Sequence, residues 1–168
     1  MGSGRRYDTP WTLKLCGGCV IGSLGLLYFH SMARDGAPTS ARCDLSRHLV
    51  DGSAATLAEL DLKDCGLHSL PASISQFVSL RKLDLARNLL TTLPRLPPSL
   101  QVLLLLSNRF ASVPSTISAL PELTMLSFKS NRLAEISTPL PRSIEWLILT
   151  DNQLRALPKQ ARPPCSPK

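Results

Sequence analysis

Asp61 and Asp84 are the side chains whose spacing best suits acid–base chemistry. They hold the same place in two successive copies of a leucine-rich phrase, so we expect them to be neighbours in the fold. Paired carboxylates can act as general acid and general base when their pKa values are driven apart. Lys63 and Lys82 lie alongside them, and this mixture of opposite charges favours a solvated lattice of salt bridges. We therefore interpret the group as surface ion pairs.

Other signatures of enzymes and metal sites are missing from the sequence. His30, His48 and His68 share no spacing, and there is no Ser-centred elbow, Gly-rich phosphate loop or H-E-x-x-H motif. Cys16 and Cys19 form a C-x-x-C, but they lie in an apolar run without a second pair, which argues against zinc. The sequence predicts a protein that is not an enzyme and binds no cofactor.

A recurring phrase determines where these side chains lie. In the copy from Leu80 to Leu90, leucine stands at the first, fourth, sixth and eleventh places. Apolar residues at the fourth and sixth places have the two-residue period of a strand with one buried face. One such strand cannot bury its apolar side alone, so the copies must stack into a parallel sheet. The copies begin at Leu57, Leu80, Leu100, Leu123 and Ile144, and the predicted buried pairs are Leu60/Leu62, Leu83/Leu85, Leu103/Leu105, Leu126/Phe128 and Leu147/Leu149.

The ninth place of the phrase is occupied by an amide in every copy except the first. A buried amide is costly unless it is hydrogen-bonded. The turn after each strand leaves backbone groups unpaired, and stacked Asn side chains can satisfy them repeat by repeat. We predict a structural ladder at this place, with a small apolar cysteine in the first copy: Cys65, Asn88, Asn108, Asn131 and Asn152.

This phrase resembles the consensus of leucine-rich-repeat proteins, L-x-x-L-x-L-x-x-N/C-x-L. The resemblance implies an α/β repeat fold, a right-handed solenoid with a curved parallel β-sheet. Its convex returns would be short helical, 3₁₀ or extended segments. It also implies that the protein recognises a protein ligand through its concave face.

The returns between the strands are of two kinds, because long and short units alternate. In the long units Pro71 and Pro114 precede apolar residues at every third position, which predicts a turn or two of 3₁₀- or α-helix. The short returns are dense in proline, which favours an extended backbone. The long returns resemble those of intracellular Ras-suppressor-type repeats, and the short ones resemble repeats of bacterial secreted effectors.

Residues 123–158 also resemble repeat regions that precede protein kinase domains, although no kinase signature is present. This leaves an alternative interpretation open. The chain would then be a recognition fragment of a larger signalling protein, soluble or cytosolic.

The third, fifth, seventh and eighth places face outward and should line the concave surface. The first two copies fill them mainly with charged residues, whereas the last three hold six apolar residues and only two charged ones at these places. Val102, Met125 and Trp146 share the third place and are predicted to stack. An exposed apolar patch commonly marks an interaction site, and Trp is a frequent binding anchor. The predicted partner-binding residues are Val102, Leu104, Leu106, Met125, Lys129, Trp146, Ile148 and Asp151.

The net charge of +7 does not point to nucleic acid. Residues 57–158 carry ten basic and eight acidic side chains, so the excess is spread along the chain. No basic stripe interleaved with aromatic residues appears, and we predict no nucleic-acid binding.

Residues 1–33 are predicted to be a hydrophobic signal anchor or a signal peptide. Basic residues precede an uncharged stretch over residues 15–29. A spanning helix needs about 20 mostly apolar residues, whereas the apolar region of a signal peptide needs about 7–15. We favour a single-pass anchor over residues 11–32 with the repeats on the lumenal or extracellular side. Secretion after cleavage near Ala33, or a cytosolic chain, stays open.

The flanks of the array complete the predicted organisation. Residues 34–56 would be a linker and N-terminal cap, with two helical turns that point Leu45, Leu49 and Val50 inward. Cys43 and Cys65 can pair in an oxidising compartment, which the sequence leaves undecided. Residues 57–158 would be five repeats, and residues 159–168 a disordered basic, Pro-rich tail. The last repeat would then be open, awaiting either further repeats or a partner.

Overall fold

The computed structural model describes the backbone of residues 12–14 and the whole of residues 43–155. The strands are β1 (Thr12–Lys14), β2 (Glu59–Asp61), β3 (Lys82–Asp84), β4 (Val102–Leu104), β5 (Met125–Ser127) and β6 (Trp146–Ile148). The α-helix α1 covers Ser46–Val50, and 3₁₀ turns cover Ser53–Ala55, Ala72–Gln76 and Ser115–Ala119.

The phrase forms one strand per copy, and strands β2 to β6 pair in parallel and in sequence order. The fourth places lie opposite one another from Leu60 through Leu147. All ten side chains of the predicted fourth- and sixth-place pairs are buried, none more than 5% exposed. The prediction of a leucine-rich-repeat solenoid is confirmed.

The core runs the length of the array because each repeat adds the same kind of layer. Ile74, Phe77 and Leu80 of the first long return are fully buried beneath the sheet. Phe110 and Phe128 meet edge to face, with ring centroids 5.4 Å apart. Each such side chain stabilises the fold by roughly 1.5–3 kcal/mol relative to exposure.

The two kinds of return also follow the sequence pattern. The 3₁₀ turns Ala72–Gln76 and Ser115–Ala119 come directly after Pro71 and Pro114. Within residues 43–155, the short Pro-rich returns contain no 3₁₀ helix. Each keeps a single turn, in which the Leu100 amide donates to the Pro97 carbonyl and the Ile144 amide to the Pro141 carbonyl, both at 3.3 Å. Proline density therefore separates the two classes, because it removes the backbone donors that a helical turn needs.

The N-terminal cap contains the predicted helix, but the prediction that Val50 points inward is wrong. Leu45 is buried and Leu49 packs against the core, whereas Val50 is 88% exposed. Positions i and i+4 share a helix face, and the next residue points about 100° away. The His48 ring of the cap packs edge-on against the Phe77 ring, with ring centroids 6.2 Å apart.

A disulfide between Cys43 and Cys65 joins this cap to the first repeat, with Cα atoms 5.6 Å apart. The pairing that the sequence left undecided is thus present in the structure. Because the bond closes a loop across 22 positions, it restrains the cap and β2 together.

The last strand of the array is not left open, contrary to the sequence-based expectation. Strand β1 pairs antiparallel with β6, placing Leu13 opposite Leu147. Residues 12–14 fall within the predicted membrane segment, and the structure makes them an edge strand instead. Such short pairings depend on tertiary context more than on local preference.

Four parts of the predicted organisation lie outside the described residues: the rest of the N-terminal segment (residues 1–11 and 15–33), the start of the linker (34–42), the end of the last repeat (156–158) and the tail (159–168). Within residues 12–14 and 43–155, no helix combines the length and apolar character needed to cross a membrane. The proposed domain boundaries and the anchor stay predictions.

Candidate protein-binding face

The turn after each strand has the same strained geometry in all five repeats. The residue at the eighth place has a positive φ between 53° and 58°, although it is never glycine. A left-handed conformation costs an ordinary residue roughly 1–2 kcal/mol, so the surrounding hydrogen bonds must hold it. The residues are Asp64, Arg87, Ser107, Ser130 and Asp151.

Asn88 shows how the amide at the ninth place supports this turn. Its Nδ2 donates to the carbonyls of Leu62 and Leu85, both at 2.9 Å. Its Oδ1 accepts from the backbone amides of Cys65 and Leu67, at 3.1 and 2.9 Å. With a further bond from Nδ2 to the Ala86 carbonyl at 3.3 Å, one side chain joins two consecutive repeats and bonds five buried or half-buried backbone groups.

The same bonds recur at the later ladder positions. Asn108, Asn131 and Asn152 each donate to their own repeat and to the repeat before, at 2.8–3.3 Å. Each also accepts a backbone amide of the preceding repeat, from Leu90, Phe110 and Leu133 respectively. Cys65 differs, because its sulfur is bonded to Cys43 and only its backbone amide joins the ladder.

The N-terminal half of the concave face, over β2 and β3, is charged and paired within itself. Lys82 contacts Glu59 at 3.1 Å, Arg87 contacts Asp64 at 2.6 Å, and Lys63 contacts Asp61 at 3.2 Å. Two of these pairs run between neighbouring repeats. Ion pairs of this exposure contribute at most about 1 kcal/mol each.

Asp61 and Asp84 lie opposite each other in the sheet, as predicted, but they hold the backbone. Asp61 Oδ1 accepts the Lys63 amide, and Asp84 Oδ1 accepts the Ala86 amide, both at 3.0 Å. Partial burial raises the pKa of the Asp84 carboxyl, the Ala86 amide opposes that rise, and the charge of Asp61 adds to it. The structure therefore gives both carboxylates a role in fixing the turn.

The C-terminal half of the face, over β4 to β6, brings the predicted apolar residues together. Val102 lies opposite Met125, and Met125 opposite Trp146, in one row across three strands. Leu104 and Ile148 flank Ser127 in the next outward row. We call Val102, Leu104, Met125, Trp146 and Ile148 the apolar group; all five are partly exposed. Adjacent strands are about 4.8 Å apart, so the group is contiguous.

The other three predicted site residues lie at the turn side of this group. Leu106 is partly exposed, and Lys129 and Asp151 are exposed. The Leu106 carbonyl accepts the Arg87 amide, and the Lys129 carbonyl accepts the Ser107 amide. These bonds hold the backbone from which both side chains project. They form a rim rather than the centre of the site.

Two features of this region were not visible in the sequence. Ser127 stands at an outward place yet is only 3% exposed, since its small side chain lies between larger neighbours. Strand β1 borders the group, with residues 12–14 opposite Trp146, Leu147 and Ile148. Of these two features, only the burial of Ser127 had a hint in the sequence, namely its small side chain. Among the described residues, no three His, Cys, Asp or Glu side chains are placed to hold a metal ion.

Comparison with known proteins gives the same kind of repeat. No protein-family model matches the chain. It is 30% identical over 135 residues to human "Leucine-rich repeats and immunoglobulin-like domains protein 3". That match covers 71% of this chain and 12% of the human protein. It is 34% identical over 115 residues to bovine opticin, and that match covers 67% of this chain and 33% of opticin. The chain thus spans a third or less of these relatives' length.

Solved structures with a similar shape include YopM from Yersinia enterocolitica, at 26% identity and a TM-score of 0.47. That match covers 77% of this chain and 32% of YopM. A leucine-rich-repeat protein of Leptospira interrogans is 22% identical, with a TM-score of 0.43, over 71% of this chain and 43% of that one. The fold assignment itself depends on the repeat geometry described above.

Proposed function

Because this chain belongs to the leucine-rich-repeat proteins, we propose that it is a recognition module whose concave face binds a partner protein. The observation that carries the proposal is the row of Val102, Met125 and Trp146 across three adjacent strands. A rigid sheet holds these side chains at fixed spacing, so little conformational entropy is lost when a partner covers them.

The apolar group is the better candidate for binding energy than the charged half. Its centre contains a partly exposed Trp and Met, residue types that are enriched in interface cores. The charges over β2 and β3 already pair with one another, so a partner gains little by replacing those contacts. The charged half instead favours a particular orientation of the partner through its field.

A photo-crosslinking experiment tests this proposal. A photoreactive phenylalanine replaces Met125 in the full chain, and a matched chain carries it at Val78, an exposed apolar residue on a convex return. We expect irradiation in the native cell to give a discrete protein adduct from position 125 and none of the same mass from position 78. Trp146→Ala in the Met125 probe chain should abolish the adduct. Identical adducts from both positions would contradict the proposal.

The proposed site of action is an oxidising compartment. The disulfide Cys43–Cys65 supports it, because such bonds persist outside the cytosol and are rare within it. The uncharged stretch over residues 15–29 would bring the chain there as a single-pass anchor or as a cleaved signal. Either route requires that β1 does not pair with β6, because a spanning or cleaved segment separates residues 12–14 from the repeats. Protease protection of a tagged chain in microsomes tests this: a protected repeat region is expected, and full digestion without detergent would contradict it.

A further inference from the structure

Beside the apolar group, the turns that follow β4 and β5 carry three cationic side chains. Arg109 and Arg132 hold the tenth place of the third and fourth repeats, and Lys129 holds the seventh place of the fourth. All three side chains are exposed. We call Arg109, Lys129 and Arg132 the cationic edge.

Backbone hydrogen bonds fix the spacing of these three cations. The Arg109 amide donates to the Leu90 carbonyl of the repeat before, at 2.9 Å. The Arg132 amide makes the same bond to the Phe110 carbonyl, also at 2.9 Å. The two arginines therefore start about one strand spacing apart, roughly 4.8 Å, and Lys129 begins the same turn as Arg132. Like charges this close repel one another, and a bound anion relieves that repulsion.

The array itself supplies no carboxylate to the cationic edge. Among the side chains of residues 43–155, the ion pairs lie over β2 and β3. Asp151, the acid at the turn of the last repeat, pairs with none of the three cations. Arg87 at the turn of the second repeat shows the contrast, because it pairs with Asp64 of the first repeat at 2.6 Å. The N-terminal half thus provides its own carboxylates, whereas the cationic edge is available to a carboxylate from another molecule.

The cationic edge adjoins the apolar group along the fourth repeat. Side chains of an extended chain alternate between two faces, so Met125, Ser127 and Lys129 share the outward face. Ser127 is only 3% exposed, so no bulky side chain separates Met125 from the ammonium group. Four residues of extended chain place the backbone of Lys129 roughly 13 Å from that of Met125. One segment of a partner is long enough to contact both.

We propose that the cationic edge binds an acidic segment of the partner protein, with a carboxylate roughly 13 Å from the apolar residue that covers Met125 and Trp146. This deepens the proposed function, on which it rests. A nucleic acid or a sulfated polysaccharide has no apolar side chain to cover that row, so a protein segment fits the whole surface. The guanidinium groups of Arg109 and Arg132 suit a carboxylate, because each offers paired N–H donors. Asp151 disfavours an acid placed one repeat further on.

The test uses the full chain with the photoreactive residue at position 125, whose adduct in the native cell reports the proposed function. Arg132→Glu should lower the adduct yield about tenfold, because it sets a like charge against the partner carboxylate. Arg142→Glu is the matched control, with the same change of charge at an exposed arginine on a short return. It should leave the yield within about twofold. Both variants should keep the melting temperature of the parent chain.

A zero-length carbodiimide applied to the same adduct identifies the carboxylate. The reagent joins a lysine amine and a carboxylate in contact as an amide, and mass spectrometry of the digest locates the bond. We expect Lys129 to be joined to an Asp or Glu of the crosslinked partner. Coupling of Lys82 to Glu59, whose charged atoms are 3.1 Å apart within the chain, is the positive control. Lys129→Arg keeps the charge without the amine, so it should keep the photo-adduct and lose the amide.

An adduct from position 125 whose yield is the same in the Arg132→Glu and Arg142→Glu chains would overturn this inference and leave the proposed function intact. The same holds if Lys129 forms no amide with the partner while Lys82 couples to Glu59. Loss of the adduct after treatment with nuclease or a polysaccharide lyase would assign the cationic edge to a polyanion other than protein, against the inference. Absence of any adduct from position 125 would overturn both proposals.

Discussion

The two halves of the concave face are built on the same backbone and differ in how their outward side chains are satisfied. Over β2 and β3, opposite charges in neighbouring repeats pair with one another at 2.6 and 3.1 Å. Over β4 to β6, the side chains of Val102, Met125 and Trp146 form a row that stays partly exposed to solvent. One scaffold thus carries a region whose side chains are already paired and a region that gains from being covered.

The difference shows that location on the concave face does not by itself make a binding site. Exposed ion pairs exchange water contacts for contacts of similar free energy, so covering them gains little. Apolar side chains stabilise a complex by about 25 cal/mol for each Å² removed from water. We therefore expect binding energy to come from the C-terminal half and stability changes in either half to stay local.

The largest expected effect is at the junction of the two halves. Asn108 accepts the Leu90 amide of the second repeat at 3.0 Å and donates to the Leu85 carbonyl at 2.9 Å. Asn108→Ala leaves the buried Leu90 amide without its acceptor, at about 1–3 kcal/mol. It also removes one of the two bonds to the Leu85 carbonyl, which keeps the bond from Asn88, at about 1 kcal/mol. We expect a loss of about 4 kcal/mol in the free energy of unfolding by urea, with the halves melting separately. Asn152→Ala, at a half-exposed position, should cost less; equal losses would contradict the ladder's role.

Loss of the disulfide should destabilise only the charged N-terminal half of the array. Cys43→Ser removes the closure of a loop across 22 positions, which lowers stability by about 3 kcal/mol on the chain-entropy model. Repeats contact mainly their neighbours, so hydrogen exchange should increase at β2 and stay unchanged at β5. Increased exchange along the whole sheet would show that the halves are more strongly coupled than we propose.

Asp84→Asn should have a small effect with a definite pH dependence. Burial raises the folded-state pKa of Asp84, so its contribution favours folding below the unfolded-state pKa and is lost as pH rises through the folded-state pKa. Asn keeps an acceptor for the Ala86 amide and carries no charge. We expect the variant to be more stable by roughly 0.5 kcal/mol at neutral pH, after allowance for solvent screening. The difference should vanish in acid, and a destabilised variant at pH 7 would contradict this account.

The smallest effect is expected for Lys82→Ala. The contact of Lys82 with Glu59 is exposed on both sides and should be worth no more than about 0.5 kcal/mol. Thermal melts at low and high salt should show that even this difference disappears with screening. A loss above about 1 kcal/mol that persists in high salt would mean that the pair is part of the fold.

Much of this fold could be predicted because the repeat imposes one register on every copy. The buried pairs, the row of Val102, Met125 and Trp146, and the position of the four Asn ladder residues followed from a period of two and a fixed spacing. The 3₁₀ turns after Pro71 and Pro114 followed from local chemistry. These features need only information that is close in sequence.

The features that were missed depend on contacts distant in sequence or on backbone conformation. The left-handed residues from Asp64 to Asp151 have no common residue type, because neighbouring hydrogen bonds hold them. The turn-holding roles of Asp61 and Asp84 need the observed turn. Local sequence favours a membrane segment over strand β1, since the pairing of β1 depends on an edge formed more than a hundred residues later. The exposure of Val50 follows from where a five-residue helix ends.

The central claim is that Trp146 belongs to a binding surface and not to the core. It is tested most directly by measuring two quantities on the Trp146→Ala chain, the partner adduct formed from a photoreactive residue at position 125 and the free energy of unfolding. We predict that the adduct is lost, while the free energy of unfolding changes by no more than about 1 kcal/mol. An unchanged adduct, or a loss of stability of about 3 kcal/mol as for a buried aromatic residue, would contradict the account.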